Sequence, residues 1–282
     1  MRAILLGTGC PTPNPKRGGS SQVVVVADEK ILIDCGNGTT NQLIRAGIDP
    51  TTVGYLFFTH HHFDHNVDFA HFVLSTWIMA RALPLRVFGP TGTKKFTQAA
   101  IEAFEIDVKS RLAGGRFRED QGLNFETHEI DQGFTLAGNG WKLSCVRVDH
   151  LTWNGNYTLG YRIDSNDRSI TFAADTSPCE AVVRLAMGSD VLVHEVFHVP
   201  ELEGSGTMPG RRRQEASRDP LAYVTPRKHS LPAQVGKIAH DAKVKKVVLT
   251  HFFSDADLDR IVDQVRQHFD GEVVLGKDLL EI

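Results

Sequence analysis

The chain has 282 residues, 41% hydrophobic and 23% charged, with a formal net charge of −3. It is long enough to bury one large α/β core or two small ones, and its charge balance gives no global reason to bind a polyanion. The four cysteines, Cys10, Cys35, Cys145 and Cys179, lack the spacing of a disulfide framework or a CxxC zinc site, and with no apolar run of membrane-spanning length and too short a lead for a signal peptide, a cytoplasmic location is expected.

Residues 2–6 and 22–26 are aliphatic runs flanking a Pro- and Gly-rich stretch, and they predict two buried strands joined by a long loop. Ile31-Leu32-Ile33-Asp34 predicts a third strand, ending in Cys35-Gly36-Asn37-Gly38-Thr39 before an amphipathic helix to about Ala46, with Gly47 as its stop. Gly36 and Gly38 lack the third glycine of a phosphate-cradling loop, so Asp34 and Asn37 are expected to brace the next segment. That segment is an apolar run, 53–58, followed by Thr59-His60-His61-His62-Phe63-Asp64-His65. Alternation along an extended chain aims His60 and His62 to one side and His61 to the other, with Asp64 and His65 following as the chain turns. One strand end can then supply ligands to two metal ions.

Beyond it the pattern predicts a helix over 66–82 with His71 in a structural role, a strand at 85–88 and a helix over 94–104. A surface connection over 107–122 and a β-meander of 123–130, 133–136 and 141–149 then lead to His150. A hairpin of 157–163 and 169–173 ends at Ala174-Asp175-Thr176, and strands at 191–195 and 247–251 end at His194-Glu195 and Thr250-His251. Strand termini near 60, 150, 175, 194 and 251 thus all carry His, Asp or Glu, types that chance would scatter through loops and helices. Cys145 and Cys179 read as small buried residues. A helix over 256–268, a strand at 272–275 and an apolar pair at 279–280 close the chain. The stretch 198–228, with Arg211-Arg212-Arg213, exceeds an ordinary connection. It is expected as a loop insertion in one domain spanning 1–282, serving as a lid, an anion clamp or a subunit contact in a homodimer.

On Leu5-Leu6-Gly7-Thr8-Gly9, the Asp34 to Thr39 turn, Thr59 to His65, His150, Ala174-Asp175-Thr176, His194-Glu195, His229-Ser230 and Thr250-His251-Phe252, the chain resembles the metallo-β-lactamase-fold hydrolases. Within them it is most similar to the ribonuclease Z and bacterial arylsulfatase-like branch. The resemblance implies an α/β fold, an αββα sandwich of two mixed sheets flanked by helices with a metal pair at one edge. It implies His60, His62 and His150 on one metal, Asp64, His65 and His251 on the other, and Asp175 bridging. It also implies that Glu195 and His229 assist proton transfer beside the metals, leaving His194 as a partner for a ligand imidazole. Phe63, where ribonuclease Z sequences usually have Gly, is expected to crowd the metal loop and narrow the groove beside it. Asp68 also departs from a Gly-containing turn.

Six N/O ligands, a bridging carboxylate and no thiolate suit two Zn²⁺, with Mn²⁺ and Fe²⁺ as competitors. A hydroxide held between such ions is a nucleophile at neutral pH. These residues point to a metal-dependent hydrolase of ester-like bonds (phosphodiester, sulfate ester, lactone or cyclic ester or amide) with an anionic small molecule as substrate, Asp64, Glu195 and His229 serving the catalysis. Alternatives are a tRNA 3′-end endonuclease, a mononuclear iron oxygenase and a non-catalytic metal- or ligand-binding protein. In the resembling endonucleases a protruding arm for tRNA lies between the third imidazole and the bridging aspartate, whereas here 151–174 is taken up by the hairpin. Arg211-Arg212-Arg213 is offset by Glu201, Glu203, Glu215 and Asp219. A nucleic-acid partner is therefore not expected.

Overall fold

A computed structural model describes residues 1–118, 122–150, 155–198, 228–253 and 256–282. The first half contributes β1 (Arg2–Gly7), β2 (Ser21–Val26), β3 (Glu29–Ile33), α1 (Thr39–Arg45), β4 (Tyr55–Phe57), α2 (Phe69–Ile78), β5 (Arg86–Gly89), α3 (Thr93–Glu102), α4 (Glu105–Ala113) and β6 (Glu126–Glu129). The second contributes β7 (Thr135–Gly138), β8 (Trp141–Val148), β9 (Thr158–Ser165), β10 (Ser169–Phe172), α5 (Glu180–Ala186), β11 (Val191–Glu195), α6 (Pro232–Asp241), β12 (Lys246–Thr250), α7 (Leu258–Arg266), β13 (Glu272–Leu275) and β14 (Leu280–Glu281).

Two mixed sheets result, in the orders β14-β1-β2-β3-β4-β5-β6 and β13-β12-β11-β10-β9-β8-β7. Each half opens with antiparallel strands and continues parallel, from β3 in one and β10 in the other. The inner parallel strands β4, β5, β11 and β12 are buried on both faces, which is why they read as apolar runs. Leu5, Ile33, Phe57 and Phe88 meet Leu143, Tyr161, Phe172 and Val193 between the sheets. Phe57 stacks on Phe88 with centroids 4.7 Å apart and meets the edge of Tyr161 at 5.4 Å. One residue on, Phe58 faces the outer layer against Phe69 and Phe96. On the opposite outer face Val182, Ile238 and Ile261 of α5, α6 and α7 cover Leu192 and Val247. Full burial of such a side chain contributes roughly 1.5–3 kcal/mol, so the sandwich is fixed by apolar area on four layers. No helix among the described residues is long and apolar enough to cross a membrane.

Two expectations fail for physical reasons. Residues 105–113 are helical where a connection was expected, because α4 buries only Val108 and leaves Ile106 86% exposed, so it shows no apolar stripe. It carries the i,i+4 pairs Glu105–Lys109 and Asp107–Arg111. The meander also fails: β6 pairs parallel with β5 in the first sheet, while β7 and β8 form a hairpin in the second. Period-2 alternation is the same on either sheet, so it could not show the crossing. The 198–228 insertion, with Arg211 to Arg213, lies almost entirely outside the described residues.

Arg81, just beyond α2, is 2% exposed, and burial lowers its pKa to about 10. Its guanidinium donates to Val53 O at 2.6 Å, Pro50 O at 2.7 Å and Thr76 Oγ1 at 3.1 Å, and lies 5.2 Å from the Phe72 ring centre. It thereby ties the end of α2 to the approach to β4, on either side of residues 59–65. Arg81→Met keeps the apolar packing but leaves both carbonyls without these donors. Urea denaturation should register a loss of about 2–4 kcal/mol; an unchanged midpoint would show that the bonds contribute nothing.

Candidate metal centre

The segment after β4 is held by both sheets. Phe58 N donates to Phe88 O at 2.8 Å and Leu159 N to Thr59 O at 2.9 Å, and the Tyr161 hydroxyl reaches across to Phe58 O at 2.7 Å. Asp34, directly after β3, accepts from Thr59 N at 2.7 Å and Thr59 Oγ1 at 2.8 Å, and its Oδ2 lies 2.7 Å from His65 Nδ1. The loops here approach too closely for side chains: a Cβ on Gly36 would lie 2.2 Å from Asp64 O. Phe63 does not crowd this loop as expected. It is 61% exposed, because the single 3₁₀ turn Phe63–His65 sends Asp64 and His65 inward and Phe63 outward. Asp68 accepts from Thr40 N and Oγ1, both at 2.7 Å, and so ties the end of the segment to α1.

These bonds decide which ring nitrogens are free. The Thr59 hydroxyl donates to Asp34, so it accepts from His60 Nδ1 at 3.0 Å and leaves His60 Nε2 as a lone pair when the ring is neutral. His150 Nδ1 donates to Lys228 O at 2.6 Å, which likewise frees its Nε2. Both Nε2 atoms face His62 Nδ1, at 3.0 and 3.1 Å. One proton on His62 can satisfy only one of them, so the converging lone pairs fit a cation. Burial and the neighbouring imidazoles hold His60 well below its ordinary pKa, and burial with the charge of His150 lowers His62 to about 4.

A second cluster, Asp64, His65 and His251, lies beside it. His65 Nε2, Asp64 Oδ1 and His251 Nδ1 are buried without a hydrogen-bond partner, a cost native interiors rarely leave uncompensated. Asp175 lies between the two sets. Its Oδ2 is 3.9 Å from His60 Nε2, 3.8 Å from His150 Nε2, 3.5 Å from His65 Nε2 and 3.4 Å from His251 Nε2. Despite burial, His251, His65 and His150 hold its carboxyl well below the usual range. All seven side chains singled out in the sequence thus converge, and those chosen as each metal's own ligands fall in separate groups. The donor set of imidazoles and carboxylates fits divalent cations.

Glu195, at the end of β11, accepts from Thr176 N at 3.0 Å and Ser230 N at 3.3 Å, and both of its oxygens lie 3.0 Å from His229 Nδ1. Against the effect of burial, the Glu195 charge and hydrogen bond raise His229 to about 9. Its ring stacks between Phe197 at 5.3 Å and His251 at 5.8 Å. His194 is not the partner of a ligand imidazole that was expected. Alternation turns it to the other face of β11, where Nδ1 bonds Glu195 O at 2.6 Å and Nε2 has no partner. His61 bonds Thr93 Oγ1 at 3.1 Å and packs near Phe96, and Cys145 is buried with Sγ on Asp131 O. Sequence reasoning missed Tyr161 and Phe197, which no motif marks.

Asp34, Ala174 and His251 have φ of 58°, 61° and 65°. Each lies just past a strand, where a left-handed residue turns the chain sharply, at about 1–2 kcal/mol for a non-glycine. Ala174→Gly should therefore stay within about 1 kcal/mol of the parent in denaturant unfolding despite greater chain entropy, whereas Ala174→Val should lose more than about 2 kcal/mol. Equal losses would show that Ala174 stores no strain.

Residues 29–252 match the family described as Beta-lactamase superfamily domain. The ribonuclease Z of Mycobacterium marinum is 30% identical over 290 residues, covering 99% of this chain and 97% of that protein. That of Mycobacterium bovis is 28% identical over 285 residues, covering 99% and 96%. Among solved structures, human tRNase Z, short form, superposes with a TM-score of 0.71 at 22% identity, covering 100% of this chain and 98% of that one. The metallo-beta-lactamase fold protein YhfI from Bacillus subtilis gives 0.73 at 17%, covering 100% and 98%. The expectation of a small-molecule substrate and no nucleic-acid partner is overturned by these relatives, named as a ribonuclease and a tRNase. It rested on the missing arm between His150 and Asp175, and β9 and β10 do form a hairpin there. Yet the mycobacterial ribonucleases match almost end to end, so that hairpin does not separate the chain from them. The chain belongs to the β-lactamase superfamily of metal-dependent hydrolases, in its ribonuclease Z branch.

Proposed function

We propose that this chain is a ribonuclease Z-type endonuclease that hydrolyses a phosphodiester bond of RNA, with precursor tRNA as the substrate class, using two divalent metal ions. The observation that carries this reading is the place of Asp175 Oδ2 within 4 Å of imidazole nitrogens from both clusters, where one carboxylate would bridge two ions. His60, His62 and His150 would hold one ion, and Asp64, His65 and His251 the other. Zinc suits this set of nitrogen and oxygen donors, with manganese and iron as competitors. When bound, such a pair supplies an activated water and offsets charge on the phosphodiester.

The protein's own groups do the rest. Asp34 fixes His65, and through Thr59 it fixes His60, each held by its Nδ1 so that Nε2 is the nitrogen that would face a metal. Glu195 holds His229 as an imidazolium, its Nδ1–H on the carboxylate and its Nε2–H available to the departing ribose oxygen. Hydrolysis adds the oxygen of water to phosphorus and breaks the bond to that ribose oxygen, which leaves with a proton from His229.

Metal analysis with precursor tRNA cleavage tests the reading. Two ions per chain, salt-sensitive trimming and loss of activity on chelation are expected, and a metal-loaded protein that leaves precursor tRNA uncut refutes it. Asp175→Ala should lose metal content and turnover together; retention of both ions at full rate would remove Asp175 from its place between them. His229→Ala should bind metal normally yet lose about 10²-fold in kcat on RNA. A p-nitrophenyl diester, whose leaving group needs no proton, should hide most of that loss. Equal losses on both would make His229 a positioning group.

A further inference from the structure

Phe63 follows His62, one of the members of the cluster that reach solvent. His60, Asp64, His65, His150, Asp175 and His251 are 4% exposed or less, while His62 and His229 each keep part of their surface in water. Of these groups, His62 and His229 are therefore the ones that a substrate would meet first. Phe63 is the residue after His62, its Cα about 3.8 Å away across a trans peptide, and it leaves 61% of its surface in water. Val67 donates to Phe63 O at 2.8 Å, which sets it one helical turn on along the same face, 53% exposed. Phe63 belongs to none of the core clusters, and no ring among the described residues stacks on it. The segment carrying it is anchored at both ends, by Asp34 and Asp68. The ring is thus an apolar face on a fixed support, one residue along the chain from the candidate ligand His62. Every nucleobase has a π face that stacks on such a ring whatever its sequence.

Resting on the proposed RNA substrate, we propose that Phe63, backed by Val67, is a positioning residue that stacks on the unpaired base beside the scissile phosphate. The charged cluster would grip the phosphate and the ring would fix its register. Stacking of this kind is worth about 5- to 100-fold in affinity per base.

Short single-stranded RNAs carrying 2-aminopurine at successive positions, titrated into chelator-treated protein whose fold is checked by circular dichroism, should show quenching at one position in the parent. That quenching should vanish in Phe63→Ala and Phe63→Leu and return in Phe63→Tyr. With metal-loaded protein, Phe63→Ala should raise the KM for precursor RNA about 5- to 100-fold and leave kcat within about threefold. An abasic nucleotide at the quenched position should raise KM in the parent and add nothing in Phe63→Ala. RNA cleavage by the parent with unchanged KM in Phe63→Ala overturns the inference alone. So does a changed oligomeric state at unchanged KM, which would make Phe63 a subunit contact. No RNA cleavage by the metal-loaded parent overturns the functional reading and this inference together.

Discussion

The carboxylate of Asp34 is the contact on which the rest of the site depends. It is 2% exposed and makes three short contacts, to the amide and hydroxyl of Thr59 and to the His65 ring. A carboxylate so placed is costly unless every lone pair finds a partner. Here the partners are the backbone that begins the ligand segment and the ring that ends it. The bonds fix the orientation of His60 through Thr59 and of His65 directly, and so turn both Nε2 atoms toward the Asp175 carboxylate.

The two sheets supply the rigidity that makes this contact matter. Tyr161 of the second sheet hydrogen-bonds Phe58 of the first, and Leu159 bonds Thr59, so β9 holds the ligand segment from across the interface. The remaining side chains come from the same edge of the second sheet: His150 after β8, Asp175 after β10, Glu195 at the end of β11 and His251 after β12. A sandwich whose strands end at one edge can gather groups more than 180 residues apart in sequence, as with His251 and Asp64, separated by 187 positions. Left-handed backbone at Asp34, Ala174 and His251 is the local strain accepted for those sharp exits, and packing on both faces of the sheets holds it in place.

Electrostatics divides the site into two kinds of imidazole. His60, His62 and His150 are driven toward the neutral form, first by burial, which is the form a metal requires. His229, though largely buried, is held charged by Glu195. One buried region therefore holds both imidazoles kept neutral by burial although Asp175 is near, and imidazoles shifted upward, His65 and His229, whose Nδ1 bonds a carboxylate directly.

The sequence by itself determined the strand runs, since β-branched and aliphatic repeats at 2–6, 22–26, 191–195 and 247–251 have few other ways to bury themselves. It also determined which side chains to watch, because His60, His62, Asp64, His65, His150, Asp175 and His251 all sit at or just past predicted strand ends. Only the tertiary structure decided that β6 and β7 belong to different sheets, since alternation is a local property and pairing is not. Helix α4 was hidden because a helix solvated on nearly every side carries no apolar period. The same limit applied to Phe63 and His194: their positions beside candidate ligands were legible, but only the 3₁₀ turn after His62 shows that Phe63 faces solvent, and only the pleat of β11 that His194 lies on the face opposite the Glu195 side chain. Bracing by Asp34 was legible as a strand-end carboxylate. That by Tyr161 and Phe197 was not, for these contacts exist only once two sheets and a distant strand end have been brought together.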